Sequence, residues 1–80
     1  MKVKLLAFGI VRDVLGNRNI EMELEDDSTT ADLRHRLEQQ HPRLKEILKY
    51  AIAINQTYIH EDVVLKDTDE IAIIPPVSGG

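Results

Sequence analysis

The residues of this sequence whose types and spacing could serve chemistry lie at its C-terminal end. That end reads Pro75, Pro76, Val77, Ser78, Gly79 and Gly80. The four residues after Pro76 could carry a terminal carboxylate about 13–14 Å outward, because an extended residue spans ~3.3–3.6 Å. Glycines at the tip have no Cβ to clash in a narrow channel, and prolines at the base reduce the entropy lost on insertion. The pattern predicts a flexible Gly-Gly tail, residues 77–80, whose carboxylate enters another protein's active site.

Little catalytic chemistry is indicated in the rest of the chain. The three histidines, His35, His41 and His60, lack the spacing of a metal-ligand motif, so no metal site is expected. The absence of Cys excludes disulfides, thiolate ligands and a side-chain sulfur nucleophile. The sequence therefore favours a protein that is not catalytic alone and that acts together with a partner.

Size and charge narrow the functional classes further. The chain has 80 residues and a formal net charge of −4, which is typical of a single acidic domain. Such a domain lacks the basic footprint of a nucleic-acid-binding protein. No apolar run approaches the ~20 residues of a membrane helix, and the apolar stretch after Lys4 lacks the cleavage site of a signal peptide. We therefore expect neither nucleic acid nor membrane as a partner, and a cytoplasmic location.

Hydrophobic periodicity predicts the elements that must hold the tail. Alternating apolar residues predict strands over 2–9, 19–25, 51–55 and 70–74, with a short edge strand within 57–66. A helix is expected to begin after Ser28 or Thr29, where Asp32 can complete the cap, and to end near Pro42. A second short helix is expected within 43–50, and 10–18 is expected to be a connection with a turn at Gly16.

This element order is typical of an α+β domain in which one main helix packs across one face of a small mixed sheet. We expect the first and last strands to lie side by side at its centre. If the helix covers the face carrying Leu5 and Ile73, then Phe8 and Ile74 remain exposed on the other face and mark an interface. The alternative, that Phe8 belongs to the core, stays open at this point.

The sequence resembles the small subunits of molybdopterin synthase, a family of ubiquitin-like sulfur carriers, over almost its whole length. The double proline before the terminal glycine pair is the most specific feature, and it resembles this branch rather than the thiamine sulfur carriers or ubiquitin. The matching segments are Leu6-Ala7-Phe8 with residues 11–16, Thr29 with Asp32-Leu33-Arg34, Ala53-Ile54-Asn55-Gln56, Leu65-Lys66-Asp67, and residues 69–80.

The resemblance implies a β-grasp domain over residues 1–76, followed by the tail. It implies that Gly80, next to Gly79, is adenylated by an enzyme related to ubiquitin-activating enzymes, which uses ATP and Mg²⁺. A sulfur donor protein would then convert Gly80 to a thiocarboxylate, and no cofactor would be bound permanently. The thiocarboxylate would donate sulfur to cyclic pyranopterin monophosphate in the active site of a large subunit, within a heterotetramer.

A partner surface is implied as well. The family places apolar contacts to the large subunit at the positions of Phe8, Tyr58 and Ile74, and a basic residue near them at Arg12. Pro75, Pro76, Val77 and Ser78 would lead the chain from this surface into the large subunit.

Two positions depart from the family pattern. Thr68 stands where Gly is common, and because a positive φ would cost Thr about 1 kcal/mol or more, we expect a different turn there. Ile74 replaces an aromatic residue that some relatives carry.

Three alternatives share the fold but differ in function. The chain could be a ubiquitin-like modifier whose Gly80 is joined to lysines, or a carrier for another pathway such as thiamine synthesis or tRNA thiolation. It could also be a β-grasp binding module with an inert tail.

Overall fold

Five strands form one mixed sheet in the computed structural model of the protein, which describes residues 1–47 and 49–76. The strands are β1 (Lys2–Ala7), β2 (Asn19–Glu23), β3 (Ala51–Ile54), β4 (Thr57–Tyr58) and β5 (Glu70–Ile74). They lie in the order β2-β1-β5-β3-β4. The central pair, β1 and β5, is parallel, and the other pairs are antiparallel. The predicted adjacency of the first and last strands is confirmed.

Two α-helices, α1 (Gly9–Leu15) and α2 (Thr30–Gln40), accompany the sheet. The main helix, α2, begins at a capping box, as the sequence predicts. The Asp32 N–H donates to the Thr29 hydroxyl (3.3 Å), and the Thr29 N–H donates to the Asp32 carboxylate (2.9 Å). Both exchanges satisfy amides that the first helical turn leaves free. Neither helix of the described residues is long and apolar enough to cross a membrane.

One face of the sheet is covered by α2, and we call it the covered face. Leu33 and Leu37 stand four residues apart on α2, so they share one side of the helix, and both are fully buried. They pack into a single core with alternate residues of the central strands: Val3, Leu5, Ala7, Ile52, Ile54, Ile71 and Ile73. The opposite face carries the other residues of the same strands, and we call it the open face.

The expectation that 10–18 is a mere connection is wrong, because the segment contains α1. Val11 and Leu15 are buried one helical turn apart. Gly16 ends the helix in the left-handed conformation (φ +84°), where its N–H donates to the Arg12 carbonyl (2.9 Å). Seven residues that begin with one glycine and are followed by another carry too weak a local signal to predict a helix, since helices this short depend on tertiary packing.

The predicted second helix is a shorter 3-10 helix over Pro42–Glu46. Leu44 is buried and Ile47 is half-buried, whereas Leu48 lies outside the described residues. The segment then returns to α2 through Tyr50, whose hydroxyl donates to the Glu38 carboxylate (2.6 Å). Burial raises the pKa of the Tyr50 phenol, and this hydrogen bond raises it further. The segment between α2 and β3 is thereby tied to the helix.

The turn before β5 accommodates Thr68, as expected. Thr68 is not among the residues with positive φ. The Asp69 N–H donates to the Lys66 carbonyl (3.1 Å), and the Lys66 N–H donates to the Asp69 carboxylate (2.9 Å). The Asp69 side chain thus closes the turn that leads into the last strand.

Candidate partner-binding face and exit of the tail

An apolar strip crosses the open face near the end of β5. Strand register places Leu6 beside Ala72, Ala72 beside Ala53, and Ala53 beside Tyr58. Ile74 lies one pleat further along β5, beside Ala51. Together with Phe8, these residues form what we call the apolar strip: Leu6, Phe8, Ala51, Ala53, Tyr58, Ala72 and Ile74. Small alanines form its floor, and larger side chains stand at its edges.

Phe8 extends the strip past the end of β1. Its backbone stays extended (φ −127°, ψ 154°), and its N–H donates to the Ile73 carbonyl (3.3 Å). Because Ala7 pairs with Ile73, Phe8 follows on the open face beside Ile74. Its side chain is 37% exposed, so the alternative that Phe8 belongs to the core is wrong. Its role in binding a partner stays a prediction.

Tyr58 stands at the far edge of the strip and is 52% exposed. The tight turn before it places Asn55 and Gln56 at positive φ (52° and 71°), which brings the two-residue strand β4 back along β3. An exposed aromatic ring on a short edge strand is typical of an interface. The strip therefore presents one large ring at each end, Phe8 and Tyr58.

Sequence reasoning overlooked two features beside the strip. The Arg18 guanidinium lies 5.8 Å from the centre of the Phe8 ring, within the range of a cation–π contact. Ile10, on α1, is 53% exposed. Had α1 been predicted, the inward pair Val11 and Leu15 would have indicated that Ile10 points outward. Arg12, a predicted contact residue, is exposed on α1, and its Nε lies 4.0 Å from Oδ1 of Asp13.

Towards the start of β5, the open face is charged. Lys4 lies in register between Glu21 on β2 and Glu70 on β5, and Lys2 lies opposite Glu23. A groove of about 720 Å³ crosses this region beside the turn at Asp67. The open face therefore has an apolar half, next to the tail, and a charged half, away from it.

The chain leaves the sheet at the apolar half. Ile74 ends β5, Pro75 is half-buried, and Pro76 is exposed. The predicted site residues Val77, Ser78, Gly79 and Gly80 lie outside the described residues. The chain thus departs directly from the strip, where β5 ends at Ile74.

Asp62 has a structural role at the start of α2. The Asp62 carboxylate accepts hydrogen bonds from the Ala31 N–H (2.8 Å) and the Thr30 hydroxyl (2.8 Å) at the start of α2. The bond from Ala31 is the main cause that lowers the pKa of Asp62, and the Thr30 bond adds to it. Among residues 1–47 and 49–76, no group of three or more His, Asp and Glu residues is placed to hold a metal ion.

Comparison with known proteins identifies the family. The ThiS family model matches residues 5–80. The chain belongs to the ThiS family. This ThiS-family chain is 41% identical to the molybdopterin synthase sulfur carrier subunit of Chlamydomonas reinhardtii, with 100% of both chains covered. It is equally identical to the subunit of that name from Dictyostelium discoideum, covering 96% of this chain and 94% of the relative. The resemblance noted in the sequence is confirmed.

Solved structures support the same assignment. A protein described as molybdopterin converting factor, subunit 1, from Pyrococcus furiosus matches with a TM-score of 0.87 and 30% identity, covering 96% of this chain and 99% of that one. A complex of subunits 1 and 2 of the molybdopterin-converting factor from Helicobacter pylori matches with a TM-score of 0.71 and 30% identity, covering 100% of both chains. Small archaeal modifier protein 1 from Methanosarcina acetivorans matches with a TM-score of 0.79 and 28% identity, covering 99% and 96%. The predicted β-grasp fold is confirmed.

Proposed function

We propose that this ThiS-family chain is the sulfur carrier subunit of a molybdopterin synthase, and that it carries sulfur as a thiocarboxylate on Gly80. The full-length relatives that bear this name support the assignment. The observation that carries it in the structure is the apolar strip, because it lies beside the point where Pro75 and Pro76 lead the chain off the sheet. A surface that docks a partner next to a departing tail suits a carrier.

The chemistry needs activation from outside this chain. A carboxylate is a poor acyl donor, so an adenylating enzyme related to ubiquitin-activating enzymes would form an acyl-adenylate on Gly80 from ATP with Mg²⁺, releasing pyrophosphate. A sulfur donor protein would then replace AMP with sulfur. Because activation consumes ATP, we propose that the chain acts in the cytoplasm.

The large subunit would bind the apolar strip and receive the tail. The complex of subunits 1 and 2 from Helicobacter pylori supports a partner of this kind. In our proposal Phe8, Tyr58 and Ile74 supply the apolar contacts, and Arg12 supplies a charged contact at the rim. The tail then delivers sulfur to cyclic pyranopterin monophosphate in a heterotetramer.

Mass spectrometry of the chain purified from its own host tests the proposal. We expect the C-terminal peptide to be heavier by the difference in mass between one sulfur atom and the oxygen atom that it replaces. Deletion of Gly80, or a tag appended after it, should abolish sulfur transfer and leave the melting temperature nearly unchanged, because in our proposal the tail makes no contribution to the core. Full transfer by the shortened chain would contradict the proposal.

A second function is favoured by one comparison, the archaeal modifier protein. Under that function, the same mass spectra would contain lysine-linked adducts of Gly80 instead of a thiocarboxylate. A spectrum with neither product, together with tolerance of a residue added after Gly80, would indicate a β-grasp binding module.

A further inference from the structure

Pro75, where the chain leaves the sheet, lies against Gly9, the first residue of α1. An ideal Cβ built on Gly9 would lie 2.9 Å from Cγ of Pro75, 3.8 Å from its Cδ and 3.9 Å from its Cβ. Carbon atoms in contact are normally ~3.5–4.0 Å apart, so a methyl group at position 9 would require a displacement of about 0.6–1 Å. The ring of Pro75 therefore occupies space that any side chain at position 9 would need.

The backbone restricts position 9 for a second reason. Gly9 has a φ of +55°, a conformation that residues with a Cβ adopt only with strain. Gly16, at the other end of α1, has a φ of +84°, but no atom of the described residues lies within 4 Å of its ideal Cβ. Both glycines thus have a positive φ that disfavours a side chain, but only at Gly9 would a side chain also clash with a neighbouring residue.

The backbone on both sides of this contact is held in place. The Phe8 N–H donates to the Ile73 carbonyl. This hydrogen bond connects the segment before Gly9 to the segment before Pro75. Ile74 is held in register by its pairing with Ala51 on β3. The Pro75 ring is fused to the backbone, which fixes its φ. A change of ring pucker moves Cγ alone, so only a displacement larger than the pucker allows must move the main chain that leads to Pro76.

We infer that Gly9 is a positioning residue for the tail: the space that its missing side chain leaves open sets the direction in which the chain departs from the sheet at Pro75. The inference rests on the proposed function, in which a partner holds the apolar strip while the tail enters its active site. With the strip fixed on the partner, a shift at Pro75 changes where the tail enters. Misplacement of reacting groups by about 1 Å can lower a rate by a factor on the order of 100.

Four variants separate this role from a general loss of stability. Gly9→Ala introduces both backbone strain and the contact with Pro75, whereas Gly16→Ala introduces strain alone. Pro75→Ala removes the ring, and Gly9→Ala/Pro75→Ala combines both changes. Each thiocarboxylated variant is mixed with excess large subunit of the same host and with cyclic pyranopterin monophosphate. Single-turnover transfer, large-subunit affinity and melting temperature are then measured.

We expect Gly9→Ala to lower the single-turnover rate by about tenfold or more, with large-subunit affinity nearly unchanged because the apolar strip is intact. Gly16→Ala should have a lower melting temperature but should transfer sulfur at close to the wild-type rate. Once the ring is absent, the change at position 9 should have no further effect on transfer, so the double variant should match Pro75→Ala.

Three results would overturn the inference. One is wild-type transfer by Gly9→Ala, and another is equal loss in Gly9→Ala and Gly16→Ala in proportion to their melting temperatures. The third is a double variant that transfers more slowly than Pro75→Ala. If Gly9→Ala does not fold, the double variant decides, since the inference requires it to fold and to match Pro75→Ala in transfer. Failure of the wild-type chain to acquire or transfer sulfur would instead refute the proposed function.

Discussion

Ile73 and Ile74 are identical neighbours on β5, yet they lie in different environments. Ile73 is fully buried on the covered face, in the same core as Leu33 and Leu37 of α2, whereas Ile74 is only half-buried and belongs to the apolar strip of the open face. The same alternation separates Leu5 from Phe8 across β1. One set of central strands therefore supplies the core on one side and a docking surface on the other, and the position of α2 decides which side is which.

The comparison teaches that hydrophobicity alone does not assign a role to a residue in this sheet. On the covered face, burial of a large aliphatic side chain contributes ~1.5–3 kcal/mol to stability. On the open face, the same kind of side chain keeps much of its contact with water, so removing it costs the fold little. Its apolar surface remains available to a partner.

The largest expected effect is on the free energy of unfolding when Ile73 and Ile74 are each replaced by alanine. Ile73→Ala should lower the free energy of unfolding by ~2–5 kcal/mol, through lost burial and a cavity. Domains of this size have only ~4–12 kcal/mol in total. Ile74→Ala should lower it by about 1 kcal/mol or less, but should weaken large-subunit binding. Urea unfolding measures the first quantity and titration calorimetry the second. Equal destabilisation by both variants would show that the open face belongs to the core.

A smaller effect is expected from Phe8→Ala, which removes a ring at one end of the apolar strip. Truncation of an aromatic anchor should raise the Kd for the large subunit about tenfold or more, equivalent to about 1.4 kcal/mol. Val64→Ala is the matched control, because Val64 is 55% exposed but lies where the chain bridges to Thr29 at the start of α2. Equal weakening by the two substitutions would mean that the strip is not the binding surface.

The smallest effect concerns the covered side, where Asp62 accepts hydrogen bonds at the start of α2. Its pKa is lower in the folded chain than its ordinary value of 3.8, so the ionised carboxylate favours folding. This stability is present above pH 3.8 and is lost as the pH falls through the lower folded value. Asp62→Asn should therefore flatten the fall of melting temperature on acidification and leave large-subunit binding at neutral pH unchanged. An unaltered acid profile would contradict this assignment.

Much of this architecture was predictable from local patterns. The alternation in β1 and β5 identified which residues share a face, and Thr29 with Asp32 identified the start of α2. Both signals depend on residues within a few positions of one another. α1 was missed because Val11 and Leu15 form a helix only when they can enter a core built by distant strands.

The site was predictable in part for the same reason. The tail was proposed from its residue types and stays a prediction, whereas the face of the sheet on which Phe8 and Ile74 lie was predicted from the alternation of their strands. The cation–π contact of Arg18 with Phe8 was not predicted, because it joins separate segments. The same holds for Gly9 and Pro75, which are 66 positions apart in the sequence and meet only because β1 and β5 run parallel and end at the same edge.

By itself, the sequence determined the alternation of apolar residues, the cap of α2 and a C-terminal segment without bulky side chains. These are properties of short stretches of chain, set by side-chain chemistry and backbone preference. Only the tertiary structure decided which face α2 covers, where the apolar strip meets the departing chain, and that Gly9 lies against Pro75. Those features require strands far apart in sequence to pair, and the pairing brings together atoms that no local pattern relates.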